Sequence, residues 1–179
     1  MSIWQLRTAP ADKFAPLAPT EAQAMAGTFE ARGKPLQWKK RPQVGVFQEP
    51  RKKAALPRAD VSLLMSGALV LNRKAHDALG PFLAQFGQFL ELDVAGSIEY
   101  FYNVTHLVDC IDPDRSEKRS TGVIVKEAFR DDATPSSAAV FKDPRTAGTR
   151  MYANAAAKAQ LDALVAAAGV SGVEFVALG

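Results

Sequence analysis

The stretch IEYFYNVTHLVDCIDPDRS, from Ile98 to Ser116, decides how the rest of the chain is read. At a period of two, Ile98, Tyr100, Tyr102, Val104, His106 and Val108 fall on one almost uninterrupted apolar face. Glu99, Phe101, Asn103, Thr105, Leu107 and Asp109 take the other, mixed face. A strand this long with one apolar face belongs near the centre of a sheet. It runs into Asp112-Pro113-Asp114-Arg115-Ser116, where Pro113 removes a ladder donor and the aspartates can bond nearby backbone, so a turn is expected there.

Around this strand the pattern is regular. Gln88 to Val94 alternates, and Ala95-Gly96 separates it from the central strand, which predicts a β-hairpin. Upstream, Val61–Met65 and Ala68–Leu71 are apolar runs split by Ser66-Gly67, with a bend expected at Gly67. Asn72 is placed to cap a helix with apolar positions at Ala75, Ala78, Leu79, Phe82, Leu83 and Phe86, and Pro81 predicts a kink or a fresh helical turn. Downstream, short strands are expected at Gly122–Lys126, Ala138–Phe141 and Arg150–Tyr152. Asn154 caps a last helix whose buried stripe is Leu161, Leu164, Val165 and Ala168; Gly169 ends it, and Val173 to Leu178 is a final strand.

The first 59 residues behave differently. Seven of the eleven prolines lie at or before Pro57. Ile3–Arg7 suggests a short edge strand and Glu21–Ala26 a short helix capped by Thr20. The rest reads as an extended arm over the domain surface, anchored by Trp38. The expectation is one α+β domain, with an antiparallel or mixed sheet and helices packed on it. Residues 1–59 would form the extended N-terminal arm of that domain and residues 60–179 its body.

Composition bounds the function classes. A chain of 179 residues, 47% hydrophobic and 23% charged, suits one globular domain. Cys110 is the single cysteine, which excludes an internal disulfide. Pro10, Asp12, Lys13 and Pro16 interrupt any leader pattern, and no apolar run approaches a membrane span, so a cytoplasmic protein without membrane contact is expected. The net charge of +3 is uneven: between Arg32 and Arg58 nine Lys or Arg face Glu49 alone, a local +8. Lys39-Lys40-Arg41 and Arg51-Lys52-Lys53, near Trp38 and Phe47, make a weak form of a nucleic-acid signature. A solvated arm explains the same charges, and nucleic acid is the lesser reading.

Candidate chemistry is sparse. His76 reads as a surface residue beside Lys74 and Asp77, and His106 as a structural histidine on the apolar face of the central strand. Two histidines and one cysteine fit no zinc spacing. Asp109, Asp112 and Asp114, with Asp131-Asp132 as a further acidic rim, lack the glycine and closing glutamate of a calcium loop. No phosphate loop or nucleophile elbow occurs. No catalytic residue, cofactor site or metal site is assigned.

The ordered set Asn103, Val108-Asp109, Asp112, Ser116, Phe141 and Gly169 with Gly172-Val173 has a further meaning. It stands within "ALVLNRKAHDAL", "EYFYNVTHLVDCIDPDRSE", "AAVFKD", "MYAN" and "AGVSGVEF". In this order the motifs resemble the eleventh catalogued immunity-protein family of bacterial polymorphic toxin systems, over residues 60 to 178; before residue 60 the likeness rests on Trp38 alone. The resemblance implies a cytoplasmic protein, not an enzyme, that binds a cognate toxin and occludes it. The residues offered for that contact are Trp38, Lys39, Lys40, Arg41, Arg51, Lys52, Asp112, Asp114 and Arg115. The other reading is a nucleic-acid-associated accessory protein using the basic arm 32–58. Self-association is indicated neither way.

Overall fold

A computed structural model describes residues 2–50 and 54–178. Two sheets, three helices and a small hairpin are built from the following elements. The N-terminal part supplies β1 (Ile3–Thr8), β2 (Leu17–Ala18), α1 (Glu21–Met25) and β3 (Gln43–Val46). Then come β4 (Val61–Ser62), β5 (Leu69–Leu71), α2 (Arg73–Leu83), β6 (Gly87–Val94) and β7 (Ser97–Val104). The last third contains β8 (Glu117–Lys118), β9 (Ile124–Lys126), β10 (Val140–Phe141), β11 (Met151–Asn154), α3 (Ala155–Ala168) and β12 (Val173–Leu178).

The larger sheet runs β2-β3-β6-β7-β5-β4 and is mixed, because β3 and β6 are parallel while the other pairs are antiparallel. The smaller runs β10-β11-β1-β12 and is antiparallel throughout. β8 and β9 pair separately. The β6–β7 hairpin forms as its alternation predicts, from Gly87↔Val104 to Val94↔Ser97. Ala95 and Gly96 both take positive φ, 49° and 90°, the twist that a two-residue hairpin turn needs.

Helix termini follow their caps. Asn72 and Asn154 each accept a backbone N–H three residues on, and Thr20 forms a capping box with Gln23. Gly169 closes α3 at φ 60°. Pro81 does not break α2, which runs unbroken to Leu83; so close to the C-terminus the missing donor affects only the last turn. In α3 the buried side chains are Ala157 and Leu161, with Leu164 and Val165 half-buried, and Ala168 is exposed rather than part of the stripe.

Both sheets are covered on both faces. The main core lies between them: Leu6, Met151 and Ala153 from the smaller sheet meet Leu69, Leu71, Tyr102 and Val104 from the larger, with α2 and α3 closing it. On the far face of the larger sheet, Phe101, Val70, Leu92 and Val94 are covered by Leu17, Phe29, Ala31, Leu36 and Trp38 from the N-terminal part. On the far face of the smaller one, Ile3, Phe141 and Tyr152 are covered by Cys110, Ile111 and Phe129.

Three expectations change here. β1 is not an edge strand: it lies between β11 and β12, with Ile3 and Leu6 buried. The central strand ends at Val104, so His106 and Val108 lie beyond it. Its mixed face is the more deeply covered one, with Glu99, Phe101 and Asn103 all buried while Ile98 is 39% exposed. The cause is the N-terminal cover. Both carboxylate oxygens of Glu99 accept from Arg58 Nη2, at 3.0 and 2.8 Å, and Asn103 Nδ2 donates to Lys34 O (2.8 Å) and Gln88 Oε1 (2.9 Å). Polar groups partnered in this way tolerate burial that the sequence pattern assigns to the apolar face.

Candidate functional site

The residues offered for partner contact fall into two places. Trp38, Lys39, Lys40 and Arg41 precede β3, and of these Trp38 packs on the covered face of the larger sheet. Trp38 is half-buried, its ring packed edge-on to Phe29 (centroids 5.4 Å) and against Phe101 (5.5 Å), and its Nε1 donates to Thr28 O at 2.9 Å. It anchors the N-terminal cover, as an indole with one satisfied donor does. A shallow groove of about 320 Å³ runs beside it, lined by Trp38, Arg41, Gln88, Phe89, Leu90 and Glu91. Arg41 pairs with Glu91 across that groove. Lys39 and Lys40 are exposed. Arg51 and Lys52 lie outside the described residues.

Asp112, Asp114 and Arg115 form the second place, the turn after the central strand. Asp112 Oδ1 accepts from the amides of Asp114 (3.0 Å) and Arg115 (3.2 Å), its Oδ2 from Arg115 Nε (2.9 Å), and Arg115 Nη2 reaches Phe129 O (2.7 Å). The turn thus orders itself through the side chain of Asp112. Partial burial raises the Asp112 carboxyl pKa, but these donors outweigh it and hold the group below its usual range. The expected acidic rim is not of one sign. Asp109 accepts from Arg145 Nη1 (2.5 Å) and pairs with Arg130 (3.1 Å), and Arg145 keeps its pKa low. Among the described residues no hydrogen bond or ion pair joins this turn to the Trp38 region.

Neither histidine stands where the sequence put it. His76 is half-buried, stacked on Tyr100 (3.7 Å) with Phe89 edge-on (4.8 Å), so it is not a free surface residue. His106 follows the strand, shares a 3.1 Å contact between Nδ1 and Val140 O, and stacks on Phe86 at 5.8 Å.

The sequence reading missed a set of buried ionisable groups. Lys142 and Asp143 are both fully buried and point to different partners. Lys142 Nζ donates to Ala31 O and Ala147 O (2.8 Å), and burial lowers its pKa to about 8. Asp143 accepts from the amides of Cys110 (2.9 Å), Ile111 (2.8 Å) and Arg145 (2.8 Å). Burial, then the neighbouring Asp143 charge, pushes the Cys110 thiol up to about 12 and makes it a poor nucleophile. Glu127, also buried, accepts from Arg150 and from Tyr152 Oη (2.7 Å), which contacts Thr146 Oγ1 at 2.7 Å. A lysine and an aspartate closing the apolar run Ala138–Phe141 were the signal available, since such a position must be either exposed or fully partnered.

Each of these groups ties together segments distant in sequence. Among the described residues no group of three or more His, Cys, Asp or Glu could hold a metal ion, and no helix is long and apolar enough to cross a membrane. No family model matches the chain, and no curated protein matches it.

Proposed function

We propose that the protein neutralises a cognate bacterial toxin in the cytoplasm by binding it and occluding its working surface, without chemistry of its own. One observation carries the reading beyond the motif resemblance. Six of the nine residues on which that resemblance rests have architectural roles in the structure. Asn103 fastens the N-terminal cover, Asp112 and Ser116 order the turn, and Phe141 packs on Tyr152. Gly169 ends α3, and Gly172 makes a close approach at φ 90°, where an added Cβ would sit 2.2 Å from Val61 O. A binder of this kind needs a rigid scaffold whose surface is free to match its partner.

The buried ionisable groups support the same reading. Glu99, Glu127, Lys142 and Asp143 are buried and bonded to groups within the chain. The exposed Lys39 and Lys40, beside the groove at Trp38, form the surface offered to the toxin. Nucleic-acid binding by the basic arm is less well supported, because Arg41 and Arg58 are already paired with Glu91 and Glu99. Co-expression with candidate toxins, one at a time, is the direct test. Rescue of growth from a single toxin is expected; rescue from several dissimilar toxins, or from none, contradicts the proposal.

A further inference from the structure

We infer that β12 is a self-association edge, through which two copies of the chain join their smaller sheets into one continuous antiparallel sheet. Among the described residues no strand pairs with the outer side of β12. Its sequence, VEFVAL, contains no Lys, Pro or Gly, and no irregularity interrupts its six-residue register with β1. The other edges are managed differently. β2, β4 and β10 are two residues long, and the β8–β9 hairpin carries a register shift and the charges of Glu117, Lys118 and Lys126. Edge strands are ordinarily blunted by shortness, charge, proline or a bulge, and β12 has none of these beyond one glutamate. Its exposure agrees: all of β11, flanked on both sides, is buried, whereas no residue of β12 is.

The occupant follows from register and charge. Ala9 N donates to Gly172 O at 2.8 Å, one step beyond the Thr8↔Val173 pair. Antiparallel bonding alternates from pair to pair, so Glu174, Val176 and Leu178 bond to β1, and the amides and carbonyls of Val173, Phe175 and Ala177 point outward. Two copies related by a two-fold axis at Phe175 satisfy all of these groups mutually, with Val173 opposite Ala177 and Glu174 opposite Val176 of the second copy. No like charges meet across that pairing, because the strand's single charge does not face its counterpart. Glu174 is also held by Arg7 Nε at 2.7 Å within its own sheet.

Sedimentation equilibrium over a concentration series into the millimolar range tests this. The expected result is a mass that rises toward the dimer, with Ala177→Pro, which removes one outward donor and leaves the β1 ladder intact, weakening association by at least about tenfold. A wild type that stays monomeric throughout overturns the inference, and so does a dimer that Ala177→Pro leaves unchanged. If that variant does not fold, amide exchange of the wild type decides. Phe175 and Ala177 must exchange more slowly as concentration rises; rates independent of concentration overturn the inference.

Discussion

The carboxylate of Asp60 accepts both the amide (2.8 Å) and the hydroxyl (3.0 Å) of Ser171, 111 residues further along the chain. Asp60 Oδ1 also accepts from Asn72 Nδ2 and Oδ2 from Lys74 Nζ, which itself donates to Gly169 O, so one acid holds the start of α2 against the end of α3. Burial raises the pKa of this acid, but the donors from Ser171, Asn72 and Lys74 outweigh burial and bring it from 3.8 to about 2. Because the folded value lies below the unfolded one, its contribution is complete above about pH 4 and disappears as the pH falls toward 2. That contribution is about 2 kcal/mol. Denaturant melts of Asp60→Asn against wild type should therefore differ at pH 6 and converge toward pH 2; a constant difference would contradict the assignment.

Backbone geometry gives a prediction of opposite signs at two turns. Gly172→Ala places a methyl group against Val61 O at a position with φ 90°, and should cost more than about 2 kcal/mol. Ala95 is the single non-glycine described with positive φ, at 49°, in the β6–β7 turn. Ala95→Asn should stabilise by about 0.5–1 kcal/mol, since asparagine tolerates that region and suits this turn. Equilibrium unfolding of both variants checks the pair.

Lys142 makes an alkaline prediction. Its folded pKa of about 8 lies below the usual lysine value, so the folded state loses its proton first. Its contribution to stability rises as the pH climbs from 8 toward 10.5 and is at its lowest below 8. Measured against Lys142→Met, which cancels the titration of Cys110 and the tyrosines, wild-type stability should gain about 2 kcal/mol between pH 8 and 10. A difference that does not vary with pH would show that burial does not lower the folded pKa of this amine.

Much of the fold was legible locally. The β6–β7 hairpin, the caps Thr20, Asn72 and Asn154, and the stop at Gly169 are written in neighbouring residues, so period and turn chemistry suffice. Placement was not legible, because it depends on what arrives from elsewhere. Glu99 and Asn103 look solvent-facing until Arg58 and Lys34 cover them, and Ile3–Thr8 looks like an edge until β11 and β12 flank it. The self-ordered turn at Asp112 was legible, whereas the arginines that neutralise its neighbourhood lie 21 and 36 residues from Asp109. The buried pair Lys142-Asp143 was missed for the same reason: its partners are distant backbone groups.

The contact surface is tested by charge reversal. Changing Lys39 and Lys40 to Glu, two exposed side chains outside the internal networks, should slow association with the toxin and weaken its salt dependence. Folding should be unchanged. If these substitutions have no effect while Asp114→Lys, at an exposed side chain of the turn, abolishes binding with folding unchanged, the contact lies at the turn instead.

Titration of the toxin's activity with the purified chain addresses the central claim most directly. Direct occlusion predicts that activity falls linearly and vanishes at one equivalent, with nanomolar or tighter affinity and an endpoint that does not drift with time. Progressive loss of toxin activity at a small fraction of an equivalent would mean that the protein turns over a substrate. Full activity at excess would mean that it does not bind the toxin, and either result contradicts the account.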